Sequence, residues 1–129
     1  MSFETLIERW FAIGFLLFGL SHLLYPAKWA ALFLPLRERE TGGLLLALFN
    51  LPLGLVVVLG HNVWVWGIPV VVTLAGWEMI LKSVVYVLFP HALSRVLPSD
   101  ERMVSAFRMA GAVSILLGAL LIYDCFRHR

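Results

Sequence analysis

Apolar residues in this chain do not alternate with polar ones; they run in blocks. Four blocks, residues 7–25, 43–60, 63–89 and 103–123, are apolar almost throughout. Each approaches or exceeds the roughly 20 residues a helix needs to cross a bilayer. Charge gathers between them: Lys28 and Arg37-Glu38-Arg39-Glu40 after the first block, Arg95 and Asp100-Glu101-Arg102 after the third. A segment that is apolar on every side lacks the polar face of a water-exposed helix. The pattern predicts an all-α integral membrane four-helix bundle, with residues 1–129 forming a single domain.

Prolines and small polar residues mark the ends. Pro26 and Pro90 cannot continue a donor ladder, so each stops the helix before it. Gly60 and Asn62 break the chain between the second and third spans, and so short a connection makes them antiparallel neighbours. Ser99 is placed to cap the fourth span, with Asp100 and Glu101 where negative charge suits the helix dipole. Pro52 and Pro69 fall inside the second and third spans, freeing the carbonyls of Leu48 and Val65.

The chain follows one order twice: span, proline, short segment, proline, charges, span. The prolines are Pro26 and Pro35 in the first half, Pro90 and Pro98 in the second. This describes two repeated helical hairpins related by an axis along the membrane normal; features common to all proline-ended hairpins account for it equally well. The segments 26–35 and 90–98, which carry Lys28, Trp29, His91 and Arg95, suit the membrane interface.

Composition narrows the class. The 129 residues are 61% hydrophobic and 14% charged, against about a quarter charged in soluble domains. The mean hydropathy of +0.92 excludes a disordered chain or an ordinary soluble globule. The formal charge of +2 comes from few groups and gives no reason to expect nucleic acid. Cys125, the single cysteine, excludes an internal disulfide and a paired-cysteine redox enzyme. Residues 1–9 hold Glu4 and Glu8 against Arg9, which argues against a cleaved signal peptide. Lys28, Arg37, Arg39, Arg95 and Arg102 outweigh Arg9, Arg127 and Arg129, so the connections after the first and third spans are expected in the cytoplasm and both termini outside.

Ionisable groups inside a membrane are costly and are functional candidates by default. Glu78 lies about 16 Å from the end of the third span at 1.5 Å per residue, and Lys82 follows one turn later on the same face. The pair neutralises itself, which fits either a structural tie or a site for a proton, ion or headgroup. Asn50 in the second span matches the depth of Lys82, with Arg108 and His22 shallower in the fourth and first. The other leaflet offers nothing comparable. Small residues mark where membrane helices meet. Gly43, Ala47, Asn50 and Gly54 share one such stripe, Glu8, Ala12, Phe15, Gly19 and His22 a second, Ala75, Glu78 and Lys82 a third, and Ala106, Ala110, Ser114 and Gly118 a fourth. The candidate ligand- or ion-binding residues are therefore Glu78, Lys82, Asn50 and His22, with Arg108 pointing away from its stripe. The histidines His22, His61, His91 and His128 do not cluster, so neither haem nor zinc is expected.

Arg9-Trp10 opening the first span, Gly19-x-x-His22-Leu23 near its end, then Pro26 and an aromatic interfacial stretch resemble the DoxX-like group of small four-helix membrane proteins. The resemblance covers the first quarter of the chain and the four-span layout. It implies a bacterial inner-membrane protein, in some members associated with redox or quinone-linked complexes, and supplies no catalytic residue. The residues themselves leave three functions open. The first is a non-enzymatic membrane subunit or assembly factor, acting as a homo-oligomer or beside a partner subunit. The second is a small transporter or channel working through Glu78. The third is a quinone- or lipid-binding accessory protein. No nucleophile–base signature points to catalysis.

Overall fold

The structure is a computed structural model describing residues 2–97 and 101–128. The described residues form six helices: α1 (Phe3–Leu24), α2 (Pro26–Glu38), α3 (Gly42–Gly60), α4 (Val70–Leu88), α5 (Ala92–Val96) and α6 (Glu101–His128). Four of them, α1, α3, α4 and α6, are long and apolar enough to cross a membrane, so the chain is an all-α four-helix membrane bundle. The start of α1, the end of α6 and the α3–α4 connection lie at one end of it, the termini end. The short helices α2 and α5 lie at the other, the loop end.

Local chemistry explains the boundaries. Ser2 caps α1, its side chain accepting the Thr5 N–H at 3.1 Å. The helix stops before Tyr25 because Pro26 has no N–H to offer. That proline then opens α2, where its fixed φ suits a first helical position. The segment after it is helical through Glu38. The indole of Trp29 donates to the Ser21 hydroxyl at 2.9 Å, holding α2 against the end of α1. Arg37 closes the loop end: Nε donates to the Leu97 carbonyl at 2.7 Å and Nη2 to the Ser94 carbonyl at 2.8 Å, so one guanidinium satisfies the last carbonyls of α5. The expected cap at Ser99-Asp100, and Pro98 before it, lie outside the described residues.

The third span is shorter than the apolar run suggests. Helix α4 begins at Val70, with Pro69 as its N-cap and not inside it, while Pro52 is inside α3 as expected. Residues 61–69 are non-helical, and side chains tie down the start of the stretch. The Thr73 hydroxyl accepts the Val63 N–H at 3.0 Å and donates to the His61 carbonyl at 3.2 Å. Asn62 Oδ1 accepts from the indoles of Trp64 at 2.7 Å and Trp77 at 3.4 Å.

The helices pack as two antiparallel pairs, α1 with α6 and α3 with α4, and contact between the pairs is sparse. The pairs join the first span to the fourth and the second to the third, so neither half of the chain packs as a close hairpin of its own. The halves differ in their interfacial helices: α2 has 13 residues and α5 has 5. The first pair meets glycine to glycine. A Cβ on Gly111 would lie 2.6 Å from the Gly19 carbonyl oxygen, and one on Gly19 would lie 2.8 Å from Ser114 Cβ. The contact face of α6 is therefore Gly111, Ser114, Gly118 and Leu121, not the stripe Ala106-Ala110-Ser114-Gly118; Ala106 and Ala110 are exposed. Four-residue steps gain about 40° each at 100° per residue, so a strict four-spaced stripe drifts off a contact face that steps of three and four keep. Ile7, Ala12, Val57, Val72 and Leu121 join the two pairs at the termini end, while Ala47, Tyr86 and Leu93 form a smaller cluster at the loop end.

Candidate functional site

The loop end holds the residues singled out from the sequence. Asn50 lies on α3 one turn after Leu46, whose carbonyl accepts one of its Nδ2 hydrogens at 2.8 Å. Lys82 lies on α4 one turn before Tyr86. The side chains of Asn50, Lys82 and Tyr86 line one cavity of about 380 Å³, walled by Leu46, Phe33 of α2 and Phe107 of α6. Lys82 keeps a counter-ion: its Nζ lies 3.2 Å from Glu78 Oε1. Of its three N–H groups one faces that carboxylate, and of the two on Asn50 Nδ2 one serves Leu46. The cavity wall therefore carries N–H donors beyond those already used.

Glu78 itself is not drawn inward. Its side chain is 61% exposed, against 35% for Lys82. The buried face of α4 is Val72, Thr73, Gly76, Ser83 and Tyr86. At 100° per residue Glu78 stands about 200° from Gly76, on the far side of the helix. The alignment of Ala75, Glu78 and Lys82 is real, but their face is not the one packed against α3. The carboxylate borders an open groove of about 490 Å³ with Trp77, Leu81 and Val96, and Lys82 and Tyr86 line this groove as well as the cavity beside Asn50. His22 does not enter the Asn50–Lys82 cavity either. Its ring stacks on Trp29 at 4.2 Å, and Nδ1 donates to the Phe18 carbonyl at 2.5 Å. It meets the cavity wall at Phe107, 5.3 Å away ring to ring, and through Trp29 at Phe33. Arg108 is exposed, one residue past that inward-facing phenylalanine.

The expectation that the other leaflet holds nothing comparable is overturned. At the termini end Glu8 of α1, His61 at the end of α3 and Thr73 of α4 are all buried at 0% exposure. His61 Nε2 lies 2.6 Å from Glu8 Oε2, and Nδ1 lies 3.0 Å from the Thr73 hydroxyl. The single hydroxyl hydrogen of Thr73 goes to the His61 carbonyl and one lone pair takes the Val63 N–H, so Nδ1 must be the donor in the other bond. Nε2 and Oε2 then share one proton, as imidazolium and carboxylate or as their neutral forms. The arrangement pins three helices at one point. One signal for it was on the page: Glu8 occupies the small-residue stripe of the first span with Ala12 and Gly19, an odd place for an acid without a buried partner. Nothing in the pattern marked His61 or Thr73, which look like a loop residue and an ordinary span residue.

Among the described residues no group of three or more His, Cys, Asp or Glu side chains is arranged to hold a metal ion. No family model matches this chain, and neither a curated protein nor a solved structure matches it.

Proposed function

We propose that this chain is a non-enzymatic membrane subunit, a binding or assembly factor, that holds a small polar group in the cavity between Asn50 and Lys82. One observation carries the reading: two hydrogen-bond-donating side chains on different helices line the same cavity of about 380 Å³, within the roughly 300–1,000 Å³ of small-molecule sites. A lysine with its own carboxylate counter-ion suits steady binding, because the site is neutral whether empty or filled. The transporter reading gains nothing from a Glu78 carboxylate on the outer face. The exposed small residues Ala106 and Ala110 on α6 support close approach of a further helix, from a second copy or a partner subunit. Kinship with the DoxX-like proteins and a bacterial inner-membrane location, with α2 and α5 on the cytoplasmic side, belong to the same reading. Both rest on the motif of the first span and on the lysine and arginine balance.

Native mass spectrometry of gently solubilised protein tests it. The expected result is a bound small molecule that is lost in both Lys82→Met and Asn50→Leu while the protein stays folded. A bound species retained in both variants overturns the assignment of the site.

A further inference from the structure

The cavity that holds Asn50 and Lys82 has a neighbour along the same seam. A second cavity, of about 370 Å³, opens between the two helix pairs and is lined by Gly14 and Phe15 of α1, Leu53 of α3, Met79 of α4 and Ser114 of α6. Leu53 follows Asn50 by three residues and Met79 precedes Lys82 by three, so each pair shares one helix face. On α6, Phe107 and Ser114 stand seven apart, again on one face. On all three helices the residues lining the second cavity lie on the termini side of those lining the first, by about 4.5 Å along α3 and α4 and about 10.5 Å along α6 at 1.5 Å per residue. The end near the loops offers N–H donors. The end near the bilayer centre is walled by aromatic and aliphatic groups.

We propose that a single hydrocarbon chain lies along this seam, with an uncharged carbonyl head at Lys82 and Asn50 and its tail past Met79 and Leu53 beside Gly14. This rests on the binding role proposed above and names the class of ligand. Two features select the occupant. Lys82 and Asn50 Nδ2 supply donors that a carbonyl oxygen accepts, while Asn50 Oδ1 and the Tyr86 hydroxyl on the same wall also accept. The charge of Lys82 is already balanced by Glu78, so an anionic head would leave an unbalanced negative charge in a medium where that is costly. A carbonyl head belongs either to a ring carrying a prenyl-like tail or to an acyl ester, and the two are chemically alike at Lys82. Around the tail, lipid is as apolar as the cavity wall, so selectivity there comes from van der Waals fit and not from escape from water.

Gly14 gives a clean test, since a Cβ built there meets nothing within 4 Å. Gly14→Leu therefore starts from open space at the wall of the tail cavity and adds bulk there. Binding to the full chain in nanodiscs is measured for four probes: a fully substituted benzoquinone with a decyl chain, the same ring with a methyl group in place of the chain, monodecanoylglycerol and decyl sulfate. A carbonyl probe with a decyl chain is expected to bind about tenfold more tightly than the methyl ring, a difference of about 1.4 kcal/mol. Gly14→Leu should erase that advantage and leave the methyl ring unaffected. Asn50→Leu should weaken both. Whichever carbonyl probe binds more tightly identifies the source of the head, and either outcome supports the class. If the chain adds nothing and Gly14→Leu changes nothing while Asn50→Leu still weakens the methyl ring, the tail assignment fails and the binding role stands. Tighter binding of decyl sulfate than of both carbonyl probes overturns the uncharged head. If no probe responds to Asn50→Leu or Lys82→Met, both readings fail. A melting curve for each variant separates lost binding from lost fold, and Gly14→Ala replaces Gly14→Leu if the larger side chain lowers the midpoint.

Discussion

The Glu8–His61 and Glu78–Lys82 pairs are built in opposite ways. Glu8 and His61 come from different helices, are fully buried and meet at 2.6 Å, with Thr73 holding the far side of the ring. Glu78 and Lys82 come from one turn of one helix, meet at 3.2 Å and keep 61% and 35% of their side-chain surface exposed. The first pair is a tertiary contact that exists only when three helices have assembled. The second needs nothing but α4. Stability should therefore depend on the termini end, and ligand chemistry on the loop end, where Lys82 has room to meet something else.

Breaking the buried pair should have the largest effect. Glu8→Ala leaves His61 without its partner inside the core, a change that costs about 3–5 kcal/mol when a buried pair loses one member. The expected result is a large drop in the midpoint of thermal or denaturant unfolding in detergent. Glu8→Leu combined with His61→Leu should recover part of it, because the buried carboxylate and imidazole are removed together. A midpoint no lower than that of Glu78→Ala would erase the contrast. Gly111→Leu comes next. It drives a side chain into the Gly19 backbone, where overpacking costs about 1–3 kcal/mol or more, and parting of α1 from α6 would register as a lower midpoint. Thr73→Val follows at about 1–3 kcal/mol, since the Val63 N–H and His61 Nδ1 lose one shared acceptor. Hydrogen exchange at Val63 should rise most in that variant. Glu78→Gln closes the series. The pair ties two residues of one helix and fastens no second element, so its unfolding midpoint should fall less than in the three variants above.

The rods of the bundle were legible because a 20-residue apolar run has few alternatives, and because Pro26 and Pro90 sit where a helix must stop. The start of α4 was not. Val63-Trp64-Val65-Trp66 is as apolar as the helix it precedes, and its non-helical form comes with a contact absent from the local pattern, the Val63 N–H on the Thr73 hydroxyl ten residues on. Depth matching found the neighbourhood of Asn50 and Lys82, because residues seven from the same end of two antiparallel helices arrive at one level. It could not find the direction of Glu78, since which side of α4 faces α3 depends on where Gly76 meets Val57. It also passed over Glu8, whose acid was visible but whose partner lies 53 residues away.

The stretch 61–69 has a practical consequence for anyone handling this protein. A connection between two spans is ordinarily where an epitope, a protease site or a fluorescent reporter is spliced in, because surface loops tolerate insertion. Here the first residue of the connection is fully enclosed and bonded to α1 and α4 at once. A tag placed beside it would prise out the piece that fastens three rods together, and labels belong on the charged run at residues 38–40 instead, where the side chains already face outward.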